Sequence, residues 1–259
     1  MSARRDRRGQ HDRRGPSAPS APSAPSAPSA PSAPPASRRW DGRRACRVVV
    51  TAGPTREHVD PVRFLSNESS GRMGFALARA AAEAGHAVTL VSGPVALETP
   101  PGVRRVDVVS ARDMLRAVRE AFATADALFM CAAVADWRPA RRLAGKWRAK
   151  EGGAREARLR LVRNPDILAT VARGKGGRLV VGFALETAGG IRRARAKLAR
   201  KGADTIVLND ASALNASRAS VTILGKDGSR RDLRGRPKAE IARRLVALLL
   251  PVNQDSLRR

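Results

Sequence analysis

The sequence predicts an α/β fold: a modified Rossmann-like, three-layer architecture with a mainly parallel sheet, plus a C-terminal β-hairpin and helix. Three observations predict it. From residue 46 onward, short and nearly continuous apolar runs alternate with amphipathic stretches at helical spacing. That is the pattern of strands buried on both faces between covering helices. The first run, Val48-Val49-Val50-Thr51-Ala52-Gly53-Pro54-Thr55, leads through a polar loop and Ser69-Ser70-Gly71 into a helical segment. Near the end, two β-rich runs flank Gly225-Lys226-Asp227-Gly228, a hairpin signal with an Asp-Gly turn.

Taken in order, residues 1–44 read as a disordered tail. Arg-rich ends flank Ser-Ala-Pro repeats over 17–34, and proline at every third position removes amide donors and favours an extended chain with nothing apolar to bury. The folded unit is expected over 45–252, followed by a disordered C-terminus over 253–259. Strands are expected over 46–52, 87–91, 103–109, 127–133, 179–183 and 205–208, and the hairpin over 221–224 and 229–233. Helices are expected over 71–84, 111–123, 165–172, 191–200 and 237–250. Residues 134–160 are rich in Arg and Lys and contain Gly145, Gly152 and Gly153; they read as a mobile flap above the carboxyl ends of the strands.

The formal net charge of +27, from 50 Lys+Arg against 23 Asp+Glu, fits an anionic partner: nucleic acid, a membrane surface or phosphorylated metabolites. It fits equally a compositional bias on solvated faces. Aromatic residues are 3% of the chain and Tyr is absent, so the stacking platform of single-strand nucleic-acid binders is missing. No apolar stretch reaches the ~18 residues of a membrane helix. Cys46 and Cys131 both sit inside apolar runs, which suits a reducing cytoplasm better than a disulfide framework.

The Ser69-Ser70-Gly71 turn offers an anion site, because the first amides of a helix lack intrahelical partners and the dipole is positive there. Ser69 and Ser70 would also serve as helix caps. Only Ser69-Ser70-Gly71-x-x-Gly74 is present, not a full G-x-G-x-x-G. The second strand ends Leu90-Val91-Ser92-Gly93-Pro94 without the acid that an NAD ribose needs. This speaks against an NAD-dependent oxidoreductase.

Other positions stay two-sided on local grounds. Asn67 is a turn residue or a catalytic one, and Arg63 an exposed or a substrate-binding arginine. Cys131-Ala132-Ala133-Val134-Ala135-Asp136 ends a strand with small side chains that let a base or ribose approach the backbone, and Asp136 holds a ligand or caps a turn. Lys146 in the flap closes over phosphates or is solvated. Asn164-Pro165-Asp166-Ile167 reads as a helix start with Asn164 at the N-cap and Pro165 at N1. Lys197 and Lys201 share a helix face, to grip a triphosphate or to meet solvent. His11, His58 and His86 have no metal-ligand spacing. There is no nucleophile elbow and no Walker loop.

Together the motifs resemble phosphopantothenoylcysteine synthetase, the ligase half of the bacterial bifunctional coenzyme A biosynthesis flavoprotein. The resemblance runs unbroken from about residue 46 to 250. It is carried by Thr51-Ala52-Gly53-Pro54-Thr55-Arg56-Glu57, Asp60-Pro61-Val62-Arg63-Phe64, Ser66-Asn67-x-Ser69-Ser70-Gly71-x-Met73-Gly74 and Val88-Thr89-Leu90-Val91-Ser92-Gly93-Pro94. Further on come Cys131 to Asp136, Asn164 to Ile167, Val181-Gly182-Phe183-Ala184 with Glu186-Thr187, and Asn209-Asp210.

This resemblance implies a cytoplasmic ligase that forms the amide between 4'-phosphopantothenate and L-cysteine. CTP with Mg²⁺ drives the reaction through an acyl-cytidylate. It implies that Asn67 and Lys146 are catalytic, and that Arg63, Asn67, Ser69, Ser70 and Gly71 bind the acyl substrate. Cys131, Ala132, Asp136, Lys146, Pro165, Asp166, Ile167, Leu168, Phe183, Lys197 and Lys201 would bind the nucleotide. No metal-ligating residues are assigned.

A homodimer is implied as well, and the hairpin at about 220–233 is the expected contact because an isolated hairpin needs packing partners. Trp137 stands where bacterial relatives often carry Tyr, and the flap around Gly145-Lys146-Trp147 diverges. The proline-rich tail takes the place of the flavin-binding half, so neither FMN nor decarboxylation is expected here; a separate phosphopantothenoylcysteine decarboxylase would supply that step. No membrane or nucleic-acid partner is expected. Bacterial relatives use CTP and eukaryotic ones ATP.

Overall fold

The computed structural model describes residues 45–148, 155–186, 190–210 and 216–251. The tail expected over 1–44 and the terminus over 253–259 lie outside the described residues. The elements in chain order are β1 (Arg47–Ala52), β2 (Arg56–His58), β3 (Phe64–Ser66), α1 (Arg72–Glu83), β4 (Ala87–Ser92), β5 (Val103–Asp107), α2 (Ala111–Phe122) and β6 (Ala127–Met130). Then come β7 (Trp137–Pro139), β8 (Leu161–Arg163), α3 (Ile167–Arg173), β9 (Leu179–Glu186), α4 (Gly190–Lys201), β10 (Thr205–Asp210), β11 (Arg218–Gly225), β12 (Arg230–Pro237) and α5 (Lys238–Leu249).

The main sheet has the order β12-β11-β10-β9-β6-β1-β4-β5. From β10 to β5 every neighbouring pair is parallel, and β11 and β12 add on antiparallel. Alternation along β1 shows why its run is apolar throughout. Val48 and Val50 join one core with Leu77 and Ala78 of α1 and Ile241 and Leu245 of α5. Val49 joins the other, with Met114 of α2, Val171 of α3 and Leu198 of α4. A strand covered on both faces cannot spend alternate positions on polar residues, and the three expected layers follow.

Chain order reverses beside β1, between β4 on one side and β6 on the other. In such sheets the ligand crevice opens outside the carboxyl ends of the strands at this point. The entry to α1 is tight there. Gly71 occupies the N-cap with φ 74°, and a Cβ on Gly74 would lie 2.5 Å from that of Ala52. No side chain caps α1. Instead the Ser69 hydroxyl accepts from the Gly71 amide at 3.4 Å, so the expected serine capping of the helix is not what the turn does.

Several sequence readings are corrected. β6 stops at Met130 rather than 133, because the amides of Ala132 and Ala135 leave the ladder for threonine hydroxyls at 3.0 Å each. α3 is capped by Asp166, whose carboxylate accepts from the Ala169 amide at 3.0 Å. Asn164 instead donates its Nδ2 to the Ala135 carbonyl at 2.8 Å, which leaves Pro165 ahead of the cap. The segment read as flap opens on a strand, β7, which pairs antiparallel with β8 just beyond its end, and a second ribbon pairs β2 with β3. The hairpin β11–β12 is continuous with the main sheet through β10, so it has its packing partner within the chain. The reason for placing a dimer contact there falls away.

Candidate active site

Two buried threonines shape the crevice. Thr51 at the end of β1 accepts from the Ala132 amide at 3.0 Å, and Thr55 in the following turn accepts from the Ala135 amide at 3.0 Å. Both side chains are wholly buried. A buried hydroxyl must find a partner or cost free energy, and here the partner is the backbone at the carboxyl end of β6. Asn67 closes the third side: its Nδ2 donates to the Val134 carbonyl at 3.0 Å. The segment 131–136 is thus pinned by three side chains beside a single parallel bridge, in which the Ala133 amide donates to the Gly53 carbonyl at 2.9 Å.

Two cavities open along this segment. One, of about 430 Å³, lies between 134–137, the Asn164–Leu168 turn and α4. The other, of about 670 Å³, lies over the Asn67–Gly74 turn and reaches α5. Ala132, Val134, Asp136, Phe183 and Lys197 line both, so the cavities share a wall and form one bent crevice.

The shared wall carries an unusual cation. Lys197 donates to the Phe183 carbonyl at 2.7 Å. Burial pushes its pKa down, Lys201 adds to that, and Glu186, Asp166 and Asp136 oppose it. Lys201 is ion-paired with Asp166. Burial pulls the Asp166 carboxyl up, but the hydrogen bonds from Lys201 and the Ala169 amide outweigh it and hold the group below its ordinary value. Burial pushes the Cys131 thiol up to about 12, against the nearby charge of Lys238. It is therefore a neutral thiol and no nucleophile at physiological pH. Among the described residues, no three His, Cys, Asp or Glu side chains cluster to hold a metal ion, and no helix is long and apolar enough to cross a membrane.

The pattern of the DNA/pantothenate metabolism flavoprotein C-terminal domain matches residues 43–252. The chain belongs to this family. The coenzyme A biosynthesis bifunctional protein CoaBC of Escherichia coli is 50% identical over 166 residues, which are 64% of this chain and 41% of the relative. The crystal structure of the C-terminal domain of a CoaBC protein aligns with a TM-score of 0.70 at 38% identity, covering 82% of this chain and 97% of that one. A Cab2 mutant in complex with phosphopantothenate-cysteine aligns at 0.64 and 15% identity, covering 84% and 88%; this is a likeness of fold. The chain spans about half the length of the curated CoaBC relatives it matches.

In this flavoprotein-family domain the residues singled out by sequence fall into two places. Asn67, Ser69, Ser70, Gly71 and Cys131 line the larger cavity. Pro165, Asp166, Ile167, Leu168 and Lys201 line the smaller, and Ala132, Asp136, Phe183 and Lys197 line both. Arg63 and Lys146 line neither. Arg63 pairs with the buried Asp60 at 2.6 Å, donates to the Trp147 carbonyl, and lies over the Trp147 ring at 5.7 Å. The Trp147 amide donates to Asp60 at 2.9 Å, and that bond, with those from Arg63 and Val62, holds the Asp60 carboxyl well below the usual range despite burial. Lys146 itself is exposed. The structure therefore gathers Arg63, Asp60 and Trp147 into a separate clip between the 59–63 loop and the flap.

Sequence reasoning missed Thr51, Thr55, Trp137, Arg72 and Lys238 as parts of the crevice. Two threonines at the end of an apolar run were a usable signal, since polar groups there need a buried partner. Trp137 lines the smaller cavity, 46% exposed. Arg72 and Lys238 begin α1 and α5 and line one cavity because those helices pack together.

Proposed function

We propose that this domain is a CTP-driven ligase that joins 4'-phosphopantothenate to L-cysteine. The observation that carries this reading is the wall shared by two cavities, one suited to a nucleotide and one to an acyl substrate. Support also comes from the family, from relatives that bear the name of a coenzyme A biosynthesis protein, and from the ligand that the Cab2 fold neighbour holds.

In this reading the nucleotide occupies the smaller cavity, with its base near Trp137 and the Asn164–Leu168 turn and its phosphates on Lys197 and Lys201. A partly desolvated lysine beside a second cation gains most from an incoming polyanion. The acyl substrate occupies the larger cavity, with its carboxylate at the shared wall. One carboxylate oxygen attacks the α-phosphorus, pyrophosphate leaves, and an acyl-cytidylate forms. The cysteine amine then attacks the acyl carbon, the acyl–oxygen bond to CMP breaks, and the amine's proton passes to solvent. Asn67, tied to the Val134 carbonyl, sits where it would orient the mixed anhydride. Such chemistry depends on positioning and on neutralising charge.

Mg²⁺ travels with nucleotide phosphates and takes one or two carboxylates besides. The exposed Asp136 on the shared wall fits that role, and the ion would neutralise charge on the leaving pyrophosphate. Arg63 and Lys146 reach the substrates only if the loop and the flap move, and Asp60 makes them move together.

Pyrophosphate release tests the reading. It is expected when CTP, 4'-phosphopantothenate and Mg²⁺ are all present, with amide product once cysteine is added. ATP in place of CTP is expected to release much less. Folded protein that releases none with either nucleotide overturns it.

A further inference from the structure

A further cavity of about 660 Å³ opens between α1, the β4–β5 connection and the start of α5. Arg72 is the one lining residue it shares with the crevice. Its floor is apolar. Phe75 and Pro100 are buried there, and Leu97 is partly buried against the same core as Phe75. The loop wall is braced. Arg105 donates to the Leu97 carbonyl at 2.7 Å, pairs with Asp107 at 2.7 Å, and lays its guanidinium over the Phe75 ring at 5.4 Å. A cavity held in this way is formed before any ligand arrives, and a ligand is spared the cost of ordering it.

The rim is charged and unneutralised. Arg72, Arg79 and Arg243 line the cavity with Glu83 and Glu98, three cations to two anions. Among the described residues none of these five joins an ion pair. Arg79 and Glu83 do not meet although they stand one helical turn apart.

We propose that this groove binds a small amphipathic anion, its aryl or acyl body on the Phe75–Leu97–Pro100 floor and its anionic head on Arg79 and Arg243. A guanidinium offers a planar fork that matches carboxylate or phosphate, and it stays charged at every physiological pH. A neutral body of the same shape gains the floor alone. An amphipathic cation meets a net positive rim. The site stands apart from the ligase reading, since no substrate of that reaction is placed in it.

4-Benzoylbenzoate is such an anion, and it crosslinks on irradiation, so it reports where it binds. The full chain is labelled with it, with and without excess CTP and 4'-phosphopantothenate, and the labelled peptides are mapped by mass spectrometry. Neutral 4-benzoylbenzamide is the control. Label is expected on α1 and on residues 95–100, unchanged by CTP and 4'-phosphopantothenate and about 10-fold weaker from the amide. The double variant Arg79→Ala with Arg243→Ala is expected to lose about 10-fold in labelling at limiting probe. Both arginines are exposed, so its thermal melt is expected to match that of wild type. Ala76→Trp, which fills the groove, is expected to remove most of the label. Equal labelling by acid and amide, unchanged labelling in the double variant, or label confined to crevice peptides overturns the inference. Labelling that falls as protein concentration rises, with a heavier species in sedimentation, assigns the groove to a second copy of the chain and overturns it as well.

Discussion

The ammonium of Lys197 donates to the carbonyl oxygen of Phe183 at 2.7 Å, so α4 and β9 together fix one cation on the wall that both cavities share. An exposed lysine would sample many rotamers. This one is held where two anionic groups would have to meet, at the cost of partial desolvation.

That cost gives a pH dependence. Burial and Lys201 hold the pKa of Lys197 below its usual value. Between the lowered value and the ordinary one, the unfolded chain binds more protons than the folded chain, so this group's contribution to stability rises with pH and is lost as pH falls through the lowered value. Nucleotide binding works in the opposite sense, since a triphosphate favours the ammonium. CTP affinity is expected to fall as pH rises through the lowered pKa. Lys197→Met is expected to weaken CTP about 10- to 100-fold and to flatten that fall. Calorimetry across the alkaline range reads both, and an equally steep profile in the variant contradicts the assignment.

The Thr55 hydroxyl holds the strand end by accepting from the Ala135 amide at 3.0 Å. Thr55→Val keeps the shape and orphans a buried donor, which is expected to cost about 1–3 kcal/mol. Urea unfolding measures it. CTP affinity is expected to drop alongside, while Thr55→Ser retains most of both. Full stability in the valine variant would show that the 131–136 segment is held by other contacts.

Gly74 is required by contact and not by backbone angle. A methyl group there would stand 2.5 Å from the Ala52 Cβ and 2.9 Å from the Thr51 carbonyl oxygen. Gly74→Ala is expected to push α1 off β1 and to destabilise by about 1–3 kcal/mol, as overpacking does. A thermal melt close to that of wild type would mean that α1 shifts freely, and the Ser69-Ser70-Gly71 turn with it.

The strands and helices of the main sheet were legible because burial on both faces demands apolar runs, as in Val48-Val49-Val50. The ribbons were not, since β2, β3, β7 and β8 have three residues each and owe their pairing to partners across loops. Asn164 and Asp166 both satisfy the local rule for an N-cap, and only the carbonyl of Ala135 decides between them. Asn67, Asp136 and the lysine pair were found through resemblance, because each alone reads as an ordinary loop or surface residue. Arg72 and Lys238 lie far apart in sequence, and no spacing rule reaches across that distance. The hairpin was legible from its Asp-Gly turn, but its seat on β10 depends on a tertiary pairing that alternation does not encode.

The central claim is that nucleotide and acyl substrate meet at the wall bearing Lys197 and Asn67. Rapid-quench single turnover of Asn67→Asp protein with CTP, 4'-phosphopantothenate, Mg²⁺ and cysteine tests it most directly. The account expects acyl-cytidylate to build up while amide formation slows by about 100-fold or more, with CTP affinity unchanged. Normal amide formation, or loss of CTP binding in place of a trapped intermediate, would contradict it.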